Sequence, residues 1–271
     1  MLVVDLDGTA LRGRDALAPE DIEAARELGA RGIHLSIATG RLYGGTRWVA
    51  EALGVRGTVA VLNGSERVGL DDHAPRYRDT LPADLRIALR SVLLEHGLCS
   101  FLFRSSGIHH DHEAERHTPF LGTWSPGLVA HDRILDEALW HEADDVLAIC
   151  AAGAHGAVQA AHDGMLEQLG EVHGIKIFDT FDGESFVSVR NITANKGTAL
   201  TALAADRGLL PHQVVAVGDW WNDLPMLDVA GRSFAMGGAI PEVLEAADEV
   251  LEARRGEGGA IAEIAHKVFG L

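Results

Sequence analysis

MLVVDLDGTALR (residues 1–12) places two carboxylates, Asp5 and Asp7, one residue apart at the end of an apolar run and directly before Gly8 and Thr9. LVVDL has the character of a buried parallel strand, and Asp-Gly opens it into a loop. Carboxylates this close repel each other and resist losing water. Either they lie on a solvated turn, or something positive sits between them. The segments that follow decide what surrounds them. PEDIEAARELGARG (19–32) reads as a helix, with Pro19 in its first turn, acids near its start and Gly29 or Gly32 to close it. IHLSIATGR (33–41) is a second strand, WVAEALGV (48–55) a helical segment and TVAVLNGS (58–65) a third strand. This β-α-β-α-β order predicts an α/β fold, a Rossmann-like doubly wound parallel sheet with its site at the carboxyl ends of the strands.

The alternation resumes late in the chain. NKGTALTALAADRGL (195–209) reads as a helix, VVAVGDWWND (214–223) as a strand and loop, and LPMLDVAG (224–231) as a helix. A strand around SFAMGGA (233–239), a helix PEVLEAAD (241–248), a strand EVLEA (249–253) and a helix within GGAIAEIAHKVFG (258–270) complete it. Residues 82–188 have a different texture. Helices at 82–97 and 155–170 separate short strands at 99–105, 145–153, 176–181 and 185–190, with a polar His-rich loop between the first two strands. We read this as an α+β cap domain inserted into a core of residues 1–81 and 189–271, with linkers near Thr80–Pro82 and Arg190–Thr193.

Composition narrows the function. The chain is 47% hydrophobic with a formal charge of −17, which fits a core-forming protein and opposes a nucleic-acid partner, since phosphate backbones need a basic face. No stretch approaches the roughly 18 consecutive apolar residues of a membrane helix. The first residues lack the basic start of a signal peptide, so a cytoplasmic location without membrane attachment is expected. Cys99 and Cys150 make no disulfide framework and read as reduced, buried small hydrophobes. Oligomeric state has no signature here.

Four clusters fall at strand ends of the core: Asp5 with Asp7, Thr39 with Gly40, Lys196, and Asp219 with Asn222 and Asp223. Carboxylates around one point call for a hard divalent cation, and oxygen-only ligands favour Mg²⁺. A hydroxyl and backbone N–H groups opening a helix, with a lysine nearby, suit a phosphate. A carboxylate nucleophile, a cation and donors for three equatorial oxygens together describe phosphoryl transfer.

On these motifs the chain resembles the haloacid dehalogenase-like (HAD) superfamily, specifically its Cof-type (subfamily IIB) phosphatases. DLDGT (5–9) is similar to the first family motif, ATGR (38–41) to the second, NKG (195–197) to the third and GDWWND (218–223) to the fourth. NGS (63–65) and FAMGGA (234–239) resemble secondary patterns. The resemblance implies that Asp5 attacks phosphorus and ligates Mg²⁺, while Asp7 protonates the leaving group, activates water and reaches the metal through its backbone carbonyl. It also implies that Thr39 and Lys196 hold the phosphoryl group, Asp219 ligates the metal, and Asn222 and Asp223 orient metal waters or Lys196. Gly40, Arg41 and Asn63 would border the phosphate or substrate. An acid at position 7 supports hydrolysis or mutase chemistry over the carbon-attacking dehalogenases and the ion pumps, which carry threonine there. The expected activity is hydrolysis of a small phosphorylated metabolite, a sugar or polyol phosphate by resemblance. A phosphomutase and a noncatalytic phosphometabolite-binding regulator are the alternatives.

Within the insertion, IHHDHEAERH (108–117) reads as a solvated loop, since its histidines fit no closed zinc spacing; substrate contact and a second metal are the lesser readings. Arg104 and Arg116 are candidates to meet a substrate's anionic or hydroxyl groups. Of Trp220 and Trp221, one is expected to pack beneath the fourth-motif loop and the other to line the cap interface.

Overall fold

Leu2–Val4 (β1) is buried on both faces, as a parallel strand between helical layers must be. The computed structural model describes residues 1–136, 138–170, 173–179 and 184–271. A short ribbon of Leu11–Arg12 and Ala16–Leu17 leads into Pro19–Ala30 (α1), whose first-turn proline loses no hydrogen bond there. Leu35–Ile37 (β2) pairs parallel with β1, and Tyr43–Ala52 (α2) follows. Thr58–Val61 (β3) runs alongside through an Ala38–Ala60 bridge, then pairs antiparallel with Glu66–Gly69 (β4), beside which lies Pro75–Arg78 (β5). The sequence reading missed β4 and β5. All four β5 residues are exposed, so no apolar alternation marks that strand.

The inserted segment opens with Ala83–His96 (α3), closed by Gly97 in the left-handed conformation. Cys99–Arg104 (β6), Gly107–Asp111 (β7), Leu128–His131 (β8) and Val146–Gly153 (β9) follow. His155–Leu169 (α4), His173–Asp179 (β10) and Ser185–Asn191 (β11) complete it. Its sheet runs β8-β7-β6-β9-β11-β10. Leu89, Leu93 and Val158 pack on Leu102, Ile149 and Val187 to form a core of their own on one face. On the other, Phe101 and Phe186 stack at 6.1 Å and Phe178 on Phe186 at 5.4 Å, with Phe120 and Trp124 against them. The His-rich segment is not a solvated loop. It forms β7 and a 3₁₀ turn over His112–His117, and His109, His110 and His117 are buried. Their rings are covered by partners that the fold brings over them: His110 and His117 by Phe101, and His109 by His131. At the base of this segment Asp79 takes hydrogen bonds from Asn191 Nδ2 at 2.5 Å and Thr193 Oγ1 at 2.6 Å, tying the outgoing stretch to the returning one.

Lys196–Ala205 (α5), Val215–Gly218 (β12), Leu224–Val229 (α6), Arg232–Gly237 (β13), Pro241–Ala246 (α7), Glu249–Arg254 (β14) and Ala260–Phe269 (α8) follow. The core sheet has the order β14-β13-β12-β1-β2, and every pair is parallel. Alternation along β1 divides the hydrophobic layers. Leu2 and Val4 face the cluster with Leu28, Val49 and Ile264, and Val3 faces the one with Leu200, Leu203 and Met226. The chain forms two compact units, Met1–Tyr77 with Ala194–Leu271, and Arg78–Thr193.

Candidate active site

β1 and β12 are neighbours, so the turns after Val4 and after Gly218 open at the same sheet edge. Asp5 N donates to Val217 O, which fixes the start of the first turn against the second strand. The first turn closes tightly over Leu6–Ala10, with Gly8 at φ 85°. A Cβ on Gly8 would lie 2.4 Å from Asp219 Oδ2, so the left-handed backbone and the close approach both require glycine. Gly218 is required for space alone: its Cβ would fall 2.3 Å from Asp223 Cγ.

Lys196 binds the carboxylates together. It is the first residue of α5, where the helix dipole disfavours a cation, and its side chain is fully buried. Two bonds compensate: Nζ donates to Asp5 Oδ1 at 2.5 Å and to Asp223 Oδ1 at 2.6 Å. Asp223 turns its other oxygen to the backbone N–H groups of Asp219 (2.8 Å) and Trp220 (3.0 Å), bracing the fourth-motif loop. Asp219 Oδ1 accepts from Thr9 Oγ1 at 3.0 Å, and its Oδ2 accepts from Arg255 Nε. Asp7 sits half-exposed and is gripped by Arg41, with Nε at 2.8 Å from Oδ2 and Nη2 at 2.6 Å from Oδ1. Burial pushes Asp5 well above its usual range, and crowding by Asp223, Asp219 and Asp7 adds to this against the Lys196 charge. Asp219 is raised by burial and by Asp223, offset by Arg255. Burial works against the Lys196 charge, but Asp223 and Asp5 hold its pKa above the ordinary value.

Thr39 is fully buried at the end of β2, where its hydroxyl accepts from Arg41 N at 3.1 Å and keeps its own proton to donate. Asn63 occupies a positive-φ bend (56°) and accepts from Asn222 Nδ2 at 2.8 Å, beside Gly40. The structure thus gathers Asp5, Lys196, Asp219 and Asp223 in one network, Asp7 with Arg41, and Asn63 with Asn222. Arg104 and Arg116 are committed within the inserted unit: Arg104 to Asp145 at 2.6 Å, and Arg116 to Glu184 at 3.3 Å. The expectation that one tryptophan packs beneath the fourth-motif loop is corrected. Both Trp220 and Trp221 are substantially exposed, and they pack edge-on against each other at 4.7 Å. Sequence reading also missed Thr9 and Arg255. Thr9 lay inside the quoted motif, but Arg255 lies in an ordinary-looking ARRGEGG run.

Carboxylate oxygens of Asp5, Asp219 and Asp223 lie within 4.8 Å of one another and all three residues are buried. Among the described residues no other three His, Cys, Asp or Glu side chains assemble this way, those of the His-rich segment included. A hard, oxygen-only, negatively charged donor set fits Mg²⁺. No described helix is long and apolar enough to cross a membrane.

A parallel core sheet with paired acids after its first strand and a buried lysine opposite defines a class that comparison identifies. The chain belongs to the haloacid dehalogenase-like hydrolases, whose family model matches residues 2–263. It is similar to a phosphoglycolate phosphatase of Methanopyrus kandleri, 29% identical and covering 96% of this chain and 94% of that one. It is also similar to an HMP-PP phosphatase of Klebsiella pneumoniae, 26% identical over 88% of this chain and 84% of the other. A haloacid dehalogenase-like hydrolase from Bacteroides thetaiotaomicron shares the fold at TM-score 0.82 and 22% identity, with 99% and 98% coverage. The protein is an enzyme, a phosphoric monoester hydrolase of this family.

Proposed function

We propose that this phosphatase is Mg²⁺-dependent, acts through an aspartyl-phosphate on Asp5, and takes a sugar or polyol phosphate as substrate. The observation that carries the reading is the Asp5 carboxylate at 2.5 Å from the buried Lys196 ammonium, in the acidic cluster at the end of β1. A carboxylate ordinarily repels a phosphate dianion, and this arrangement offsets that repulsion. Asp5 attacks phosphorus while the ester oxygen leaves with a proton from Asp7. Asp7 then takes a proton from water, which attacks the phosphoenzyme and frees phosphate and Asp5. Arg41 grips both oxygens of Asp7 and orients the carboxylate that takes the proton from water. Thr39 and Lys196 bind phosphoryl oxygens, Gly40 and Asn63 border the substrate, and Asn222 and Asp223 orient the groups around them. Mg²⁺ held by the Asp5 and Asp219 carboxylates and the Asp7 backbone carbonyl would add the positive charge that stabilises the transferring group. Residues 82–188 serve as the substrate-selecting cap on a core of 1–81 and 189–271, as expected from the sequence. A small substrate is supported by the relatives named for phosphoglycolate and HMP-PP, and a sugar by a subclass IIB sugar phosphatase that shares the fold at TM-score 0.78.

The test is p-nitrophenyl phosphate hydrolysis with Mg²⁺, with EDTA, and by Asp5→Asn, followed by a screen of sugar and polyol phosphates. Turnover that needs the metal and vanishes in Asp5→Asn is expected. Turnover that survives EDTA or the substitution overturns the mechanism. Strict dependence on a bisphosphate activator would reveal a mutase instead.

A further inference from the structure

Four carboxylates, Asp5, Asp7, Asp219 and Asp223, share this site with three cations, and only Lys196 and Arg41 come from the recognised motifs. The third is Arg255. Its backbone is pinned: Arg255 N donates to Gly237 O at 2.8 Å, and Gly256 N donates to Gly8 O at 2.9 Å, inside the turn that bears Asp5 and Asp7. From this anchored position Nε bonds Asp219 Oδ2 while the guanidinium lies over the Trp220 ring, 4.5 Å from its centroid. The Asp219 carboxylate is fully buried and Arg255 is 43% exposed, so the arginine covers the ligand from the solvent side.

We propose that Arg255 is a positioning residue that competes with the divalent cation for Asp219: it neutralises the carboxylate before metal enters and lowers the metal's affinity. The inference rests on the Mg²⁺ reading above. A guanidinium in contact with a ligand oxygen repels a cation bound to the same carboxylate, and metal entry must weaken or break its bond to Oδ2. Because the guanidinium also lies on Trp220, its departure alters the indole environment. Metal binding is therefore visible as a change in Trp220 fluorescence.

The experiment is calorimetric titration of the full-length protein with Mg²⁺ and Mn²⁺, paired with tryptophan emission. It compares the native protein, Arg255→Gln, Arg255→Lys and Trp220→Phe. Arg255→Gln should bind either cation about tenfold more tightly, the gap narrowing in high salt, while Arg255→Lys stays near the native affinity. The emission change on metal addition should be lost in Trp220→Phe and reduced in Arg255→Gln. Equal or weaker binding by a folded Arg255→Gln overturns the competition, as does an emission change that survives Trp220→Phe. If no protein binds either cation, the Mg²⁺ reading itself falls and this inference with it; if all bind alike, only the inference falls.

Discussion

Lys196 Nζ stands between Asp5 Oδ1 and Asp223 Oδ1, at 2.5 and 2.6 Å, with no part of the lysine side chain exposed. The ammonium is the internal counter-charge of the cluster. Lys196→Met keeps the volume and removes the charge, leaving Asp5 and Asp223 buried without it. In EDTA this should cost about 3–5 kcal/mol of stability, read by urea denaturation. Added Mg²⁺ should restore part of the loss by binding the folded state. A loss below about 1 kcal/mol would mean that the carboxylates are neutralised some other way.

His109 supplies a pH dependence within the inserted unit. It is 7% exposed, with Nδ1 at 2.9 Å from His131 Nε2. Burial, with Arg104 and His131 nearby, lowers its pKa from 6.5 to about 4. A base with a depressed folded-state pKa gives stability that is complete above the unfolded value and is lost as pH falls towards the folded one. Stability should therefore drop by about 3 kcal/mol between neutral pH and pH 4 on account of this residue. Urea midpoints across that range should show a shallower slope for His109→Gln. An unchanged slope would assign the acid sensitivity elsewhere.

Asp79 ties together the two stretches that enter and leave the inserted segment. Asp79→Ala removes the acceptor for Asn191 Nδ2 and Thr193 Oγ1, although Asn191 keeps its bond to Thr80 O at 3.0 Å. Faster amide exchange confined to residues 78–81 and 190–193 is the expected result, with about 1–2 kcal/mol lost. Exchange that stays at the native rate there would show that the stretches are held without this carboxylate.

Much of the core was legible because its signals are local. Each strand-to-turn transition (Val4 to Asp5, Ile37 to Thr39, Gly218 to Asp219) changes from apolar to polar within two residues, and helix starts at Pro19 and Asn195 follow capping chemistry. What escaped depended on partners far along the chain. His109, His110 and His117 look solvated when read alone, and only the fold brings Phe101, Phe186 and His131 over them. Arg255 gains its meaning from Gly256 bonding Gly8, a contact across most of the chain's length. One of Trp220 and Trp221 was expected to pack beneath the fourth-motif loop, yet each covers the other and Trp220 also carries Arg255. Their exposed edges are compensated by aromatic and cation contacts rather than by burial.

The place of β1 in the sheet has a consequence for how the molecule is made. One flank of that strand is β2, available early; the other is β12, which begins at Val215. At ordinary synthesis rates the second flank emerges from the ribosome on the order of ten seconds or more after β1. Throughout that interval the strand that leads to Asp5 carries an open, apolar edge, and the two carboxylates behind it have neither Lys196 nor Asp219 beside them. The sheet of the inserted segment, by contrast, is built wholly from its own consecutive residues and can close while the core waits. The strand that bears Asp5 therefore belongs to the last part of the enzyme to be finished, and a truncated chain that stops short of Arg255 carries an incomplete site.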